Sequence, residues 1–153
     1  MSGTDADPAR RDAGSKVPVH LWIVGGLALL WNAVGAFDYL ATQLEFEPYM
    51  SGFSEEQLAY FYGFPAWTVS AWAVAVWGAF FGAIALLLRS RWSVWLFGAS
   101  LAGIALTSLH NFVLSNGAEI MGSSSVVFSV AIGVVAVLLV VYARSMARRG
   151  VLG

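Results

Sequence analysis

The segment PAWTVSAWAVAVWGAFFGAIALLLRSRWSVWLFGASLAGIALTSLHNFVL, from Pro65 to Leu114, holds two long apolar runs broken once, by Arg89-Ser90-Arg91. A hydrocarbon core about 30 Å thick is crossed by about 20 predominantly apolar residues of helix, and each run meets that need. Three residues between two such helices force an antiparallel hairpin. Trp92 and Trp95 follow the charged step at once, where interfacial anchors belong. One further apolar run precedes this hairpin and another follows it. The expected spans are therefore about 19–42, 65–88, 92–114 and 125–143. The expected fold is an all-α membrane protein, four transmembrane helices in an up-down bundle.

Composition points the same way. The 153 residues are 59% hydrophobic and 11% charged, with mean hydropathy +0.73, against about 45–50% apolar and about 25% charged in soluble domains. A formal net charge of -1 removes bulk attraction to nucleic acid as an explanation. The absence of cysteine removes disulfides, thiolate metal sites and dithiol redox chemistry.

The distribution of charge carries more than its sum. Arg10, Arg11 and Lys16, then Arg89 and Arg91, then Arg144, Arg148 and Arg149 are all the basic residues there are. Between Val17 and Leu88 there is none, although that interval contains Glu45, Glu47, Glu55 and Glu56. Excess Lys and Arg marks the cytoplasmic side of a membrane. Both termini are therefore expected in the cytoplasm, with the first and third spans running outward. So strong a bias implies insertion in one orientation only.

Along the chain, residues 1–17 are small and polar and read as a disordered cytoplasmic tail. Residues 18–145 form the four-helix transmembrane domain, opened by Pro18, and 146–153 a cytoplasmic basic tail. The first span is too long for the core of a secretion signal and is read as retained. The loop 43–64 is acidic and rich in aromatic residues. Within it Ser54 and Gln57 have the spacing of a capping box, which predicts a short helix over about 55–62. Its Tyr and Phe residues suit the headgroup level, so the helix is expected to lie on the outer surface.

Helices associate in lipid through small residues that let backbones approach. The second span presents Gly78 and Gly82, and the third presents Ala99 and Gly103. The first three spans are expected to pack more tightly and the valine-rich fourth to face lipid.

Two ionisable residues lie within spans, Asp38 in the first and His110 in the third. Each lies a similar number of residues into an outward-running helix, so at about 1.5 Å per residue they reach one depth, near the outer end. An ionisable residue inside a membrane is a functional-site hypothesis by default. Trp31, Gly35, Asp38 and Thr42 share one helical face. The expected polar site pairs Asp38 with His110 and adds Asn32, Tyr39 and Asn111. Against it stands a plainer reading, in which Asp38, about one turn from its helix end, reaches into the outer headgroups, and His110 is hydrogen-bonded at the interface.

His20 and His110 belong to opposite membrane faces and cannot jointly ligate one haem. A haem or pigment would need His110 alone or two copies of it. No cofactor and no metal are expected. Neither a Ser/His/Asp arrangement nor HExxH, P-loop or dinucleotide fingerprint appears, so the chain is not expected to be an enzyme.

Trp31-Asn32, Gly35, Asp38-Tyr39 and Thr42-Gln43, then Glu56-Gln57-Leu58-Ala59-Tyr60, Phe64-Pro65-Ala66-Trp67, Trp77-Gly78 and Leu86-Leu87-Leu88-Arg89 form a recognisable series. It resembles a family of small, uncharacterised four-span bacterial membrane proteins, some of them automatically labelled sugar transporter. The resemblance covers residues 19 to 91 and implies a bacterial inner (plasma) membrane. Two functions follow as expectations. The slightly preferred one is a non-enzymatic accessory or assembly subunit of a membrane complex. The alternative is an oligomeric, transporter-like protein for a small solute such as a sugar or a proton-coupled substrate. The partners expected are the lipid bilayer and either further copies of the chain or other membrane proteins, with no nucleic acid.

Overall fold

A computed structural model describes residues 16–153, so the expected tail over 1–17 lies almost entirely outside the described residues. The elements are α1 (Val19–Gln43), α2 (Glu47–Met50), α3 (Glu55–Tyr62), α4 (Ala66–Leu87), α5 (Trp92–Leu109), a π-helical turn (His110–Leu114), α6 (Gly117–Met121) and α7 (Ser123–Arg148). No strand occurs among the described residues. α1, α4, α7 and α5 continued through its π turn are long and apolar enough to cross a membrane, which makes this a multi-pass membrane protein. Only helices meet the hydrogen-bonding needs of a lone spanning segment in hydrocarbon.

The short helix of the first loop is Glu55–Tyr62, and its capping box closes in both directions. The Gln57 backbone N–H donates to Ser54 Oγ at 3.2 Å, and the Ser54 N–H donates to Gln57 Oε1 at 3.1 Å. The short helices α2 and α6 were not expected, being only 4 and 5 residues long. α7 runs further than the expected 125–143.

The four long helices stand in the order α1, α4, α5, α7, with α4 between α1 and α5. α4 and α5 approach closest, and glycine explains why. A Cβ at Gly103 would lie 2.6 Å from the Ala71 carbonyl oxygen and 2.7 Å from the Ala75 nitrogen. At Gly78 it would lie 3.0 Å from the Leu96 carbonyl oxygen, and at Gly82 2.8 Å from the Phe97 ring. Beside these contacts Ser100 Oγ donates to the Ala75 carbonyl at 2.5 Å. Ala99, expected with Gly103 in this interface, is exposed instead. Ser100, one residue on and about 100° round the helix, takes that place.

α7 leans on α5 and meets α1 through side chains. His20 Nδ1 is 2.6 Å from Tyr142 Oη near one end, and the Trp31 and Phe128 rings lie 5.9 Å apart nearer the other. The main hydrophobic core fills the first of these ends, joining Leu21, Leu86, Phe97, Leu139 and Met146 to Val151 and Leu152. Residues 146–153 are therefore no loose tail. α7 continues to Arg148, and Val151 and Leu152 are 4% and 2% exposed. Gly153 is clipped to the α4–α5 turn, its N–H donating to Arg89 O at 2.8 Å and its O accepting from Arg91 N–H at 2.9 Å. Arg89 takes a left-handed φ of 58° there, a conformation that disfavours side chains, and its Nε donates to Val151 O at 3.3 Å.

Lys16, Arg89, Arg91, Arg144, Arg148 and Arg149 thus share the closed end of the bundle, while Glu45, Glu47, Glu55, Glu56 and Glu119 share the other. Gly103→Ala should lower thermal stability in detergent by about 1–3 kcal/mol, the usual cost of overpacking, because its methyl group meets backbone. Gly98→Ala and Gly133→Ala, whose new methyls would meet nothing within 4 Å, should unfold at or slightly above the parent temperature.

Candidate functional site

Away from the closed end the helices part around a cavity of about 490 Å³. Its wall draws on one face of each long helix. α1 supplies Trp31, Asn32, Gly35 and Asp38, and α4 supplies Trp72, Ala75 and Ala79. α5 supplies Ser100, Ile104, Thr107 and Ser108, followed by Asn111 from the π turn. α7 supplies Ser125, Ser129, Ile132 and Ala136. The steps of three and four are those of a single helical stripe. Phe97 and Leu139 form the floor, where the core begins.

The roof comes from the loop helices. Tyr49 and Phe53 follow α1, and Tyr60, Phe61 and Phe64 close the other side. Successive rings meet edge to face, Tyr49 with Phe53 at 5.8 Å, Phe53 with Phe61 at 5.4 Å and Phe61 with Phe64 at 6.0 Å. Edge-to-face pairs of this kind are favoured by the ring quadrupole. The aromatic residues of α3 and its flanks therefore line the cavity.

Asp38 and His110 stand in separate polar clusters. Tyr49 Oη donates to Asp38 Oδ1 at 2.6 Å, at the short end of the O–H···O range. Thr42, buried on the same helix, donates its hydroxyl to the Asp38 carbonyl at 2.8 Å. Asp38 Oδ2 takes no hydrogen bond among the described residues, and the side chain faces the cavity.

His110 opens the π turn and is 9% exposed. Phe64, Trp67 and Tyr60 surround its ring at centroid distances of 5.2, 5.6 and 6.4 Å. Its Nδ1 lies 3.3 Å from Asn111 Oδ1. Tyr60 Oη donates to the same Asn111 oxygen at 3.0 Å and sits 2.8 Å from Ser115 Oγ. Ser115 Oγ in turn donates to the His110 carbonyl at 2.8 Å, satisfying one of the carbonyls that the change from α to π spacing leaves free. A Cβ at Gly117 would strike the Tyr60 hydroxyl, so glycine there lets this cluster close.

The expected Asp38–His110 pair is not made, since among the described residues each has other partners. Equal depth along two helices did not bring them together because the two side chains leave their helices toward different neighbours. Asn32 lines the cavity and donates Nδ2 to the Ala28 carbonyl at 2.8 Å. Tyr39 stands outside the lining, edge-on to Trp72 at 5.0 Å and to Trp77 at 6.3 Å. No group of three His, Asp or Glu that could hold a metal occurs among the described residues.

No family model matches this chain, and neither a curated protein nor a solved structure matches it. The site thus rests on its own geometry.

Sequence reasoning passed over Tyr49, Tyr60, Ser100 and Ser129 as site residues. The stripe Ser125, Ser129, Ile132, Ala136 was legible as a periodic polar and small face on α7. Tyr49 and Tyr60 had no periodic signal, because they reach the cavity from short helices whose placement depends on the fold.

Burial, and after it the hydrogen bond and charge of Asp38, push the Tyr49 phenol up from 10.0 to about 12. The folded protein holds this proton more tightly than the unfolded chain. Its contribution to stability is therefore fully present below pH 10 and is lost as pH rises through about 12. Thermal unfolding followed across this window should show a decline in the parent that is shallower in Tyr49→Phe, with both variants unchanged in slope between pH 7 and 9.

Proposed function

We propose that this protein takes a small, largely apolar solute into the cavity between its helices and works as a transporter-like membrane protein. The cavity is the observation that carries this reading. At about 490 Å³ it falls within the range of small-molecule sites, about 300–1,000 Å³. Its mixture of aromatic rings with a few convergent hydroxyls, amides and one carboxylate has the usual character of such a site.

A sequence count of few polar groups within spans favours an accessory subunit. The cavity weakens that argument, because it gathers side chains from all seven helices around one space. A protein whose only task was to hold a partner by its outer faces would have no need of a lined interior. The automatic sugar-transporter label attached to the resembling family is compatible with a solute site of this size.

In this reading the closed, basic end faces the cytoplasm of a bacterial cell, by the positive-inside rule. The roof of α2, α3 and α6 then lies at the outer surface of the inner membrane, with its acidic residues in water. The Trp and Tyr residues near both ends serve as interfacial anchors.

Trp31 and Trp72 in the wall supply a built-in reporter. Purified protein in lipid nanodiscs should show saturable energy transfer from tryptophan to the neutral apolar fluorophore N-phenyl-1-naphthylamine. Ala136→Phe, which places a ring in the cavity, should abolish the saturable part while leaving the unfolding temperature at or above that of the parent. Saturable transfer that is the same in Ala136→Phe, or transfer that never saturates, would sink the solute-site reading.

A further inference from the structure

We infer that the solute is an amphipathic organic cation that reaches the cavity from the bilayer, its positive charge placed at Asp38 and its apolar body among the surrounding rings. This inference rests on the solute-site reading above.

The first observation is charge. Among the described residues Asp38 is the one charged residue in the wall, and no Lys, Arg or His lines the cavity. The Arg side chains of the described residues stand at the opposite, closed end. His110 is near, but it lies behind Tyr60 and Phe64 and is engaged with Asn111. A carboxylate among apolar walls is costly without a compensating partner. Tyr49 meets only Oδ1, and Oδ2 is left to the cavity. An anionic solute would be repelled there, whereas a cation would supply the missing charge.

The second observation is aromatic. Ten residues of the lining are Trp, Tyr or Phe. Tyr49 touches Asp38 directly, and Trp31 lies on the same face of α1, seven residues earlier. Ring faces attract cations, Trp most strongly. An ammonium or phosphonium between a carboxylate and such rings is held by both terms at once. A neutral sugar would gain from the hydroxyls and amides but not from this charge.

The third observation is the route. Four large lining residues are also exposed, Trp31 at 39%, Val34 at 65%, Phe128 at 56% and, on the π turn, Phe112 at 36%. Trp31 of α1 and Phe128 of α7 flank the seam between those two helices and meet across it. That seam lies along the spans, so a solute entering between these rings would come from lipid tails and not from water. A solute using it must first partition into the bilayer, as amphipathic cations do and small hydrophilic ones do not.

Tetraphenylphosphonium and tetraphenylborate have one shape and opposite charge, and they provide the test. Competition against bound N-phenyl-1-naphthylamine in nanodiscs should show tetraphenylphosphonium displacing the fluorophore at concentrations at least about tenfold below those of tetraphenylborate. Asp38→Asn, which keeps an oxygen for the Tyr49 hydroxyl, should weaken tetraphenylphosphonium by about tenfold or more relative to any change in affinity for the neutral fluorophore. Tetramethylammonium, which stays in water, should not compete. Equal competition by the two large ions, or a tetraphenylphosphonium affinity indifferent to Asp38→Asn, overturns the cation assignment while fluorophore binding upholds the solute site. Competition by tetramethylammonium as strong as that of tetraphenylphosphonium overturns the lipid route. Failure of the fluorophore itself to bind saturably brings down the solute site and this inference with it.

Discussion

The contact of Gly103 with the backbone of Ala71 and Ala75 governs the arrangement of this molecule. In hydrocarbon there is no hydrophobic gain from burying one apolar helix against another, so association depends on close approach, dispersion and hydrogen bonds. Glycine on one helix against alanine on the next permits that approach, and the Ser100 hydroxyl bonded to the Ala75 carbonyl adds a polar tie where no water competes. The hairpin of α4 and α5 becomes a rigid spine. α1 lies on its α4 side and α7 on its α5 side, so both outer helices are placed by the spine and only secondarily by each other.

That order has a geometric consequence. Two helices fixed to opposite sides of a spine can close against one another at one end and part at the other. Here the closed end is filled by Leu21, Leu86, Phe97, Met146, Val151 and Leu152, and Gly153 pins the chain to the turn at Arg89 and Arg91. Above Phe97 and Leu139 the same helices diverge around the cavity. The aromatic roof, made of rings that meet edge to face, then spans the gap that the helices leave. Floor, walls and roof thus follow from one asymmetry, tight packing at the basic end and separation at the acidic one.

Polar groups inside the bundle obey a similar economy. The hydroxyls of Thr42 and Thr107 bond to carbonyls four residues back in their own helices, which satisfies them without a partner helix. Of those that reach further, Ser100 ties α5 to α4, and two clusters join Asp38 with Tyr49 and His110 with Asn111, Tyr60 and Ser115. The π turn at His110–Leu114 belongs to the second cluster, since the altered spacing frees carbonyls that Ser115 can take up. Tyr60 and Asn111 are common to that cluster and to the cavity wall, while His110 itself does not line the cavity.

Much of this was legible in the residues alone. Length and hydropathy of the four runs, the Arg89-Ser90-Arg91 step and the capping box of Ser54 and Gln57 are local properties, and local hydrogen bonding and solvation decide them. The face of α1 bearing Trp31, Gly35 and Asp38 was readable too, because helical periodicity places those residues together whatever surrounds them. What lay beyond reach was the rotation of each helix against its neighbours. Ala99 and Ser100 are neighbours in sequence, and only the rotation of α5 against α4 made Ser100 the interface residue and left Ala99 outside. Asp38 and His110 share a depth, yet rotation of their helices sent one to Tyr49 and the other into an aromatic box. Val151 and Leu152 read as a tail and became core because the closed end had space for them. Spacing along a helix is set by hydrogen bonds within it, while its rotation and its neighbours are set by side chains distant in the chain, and only the tertiary structure decides those.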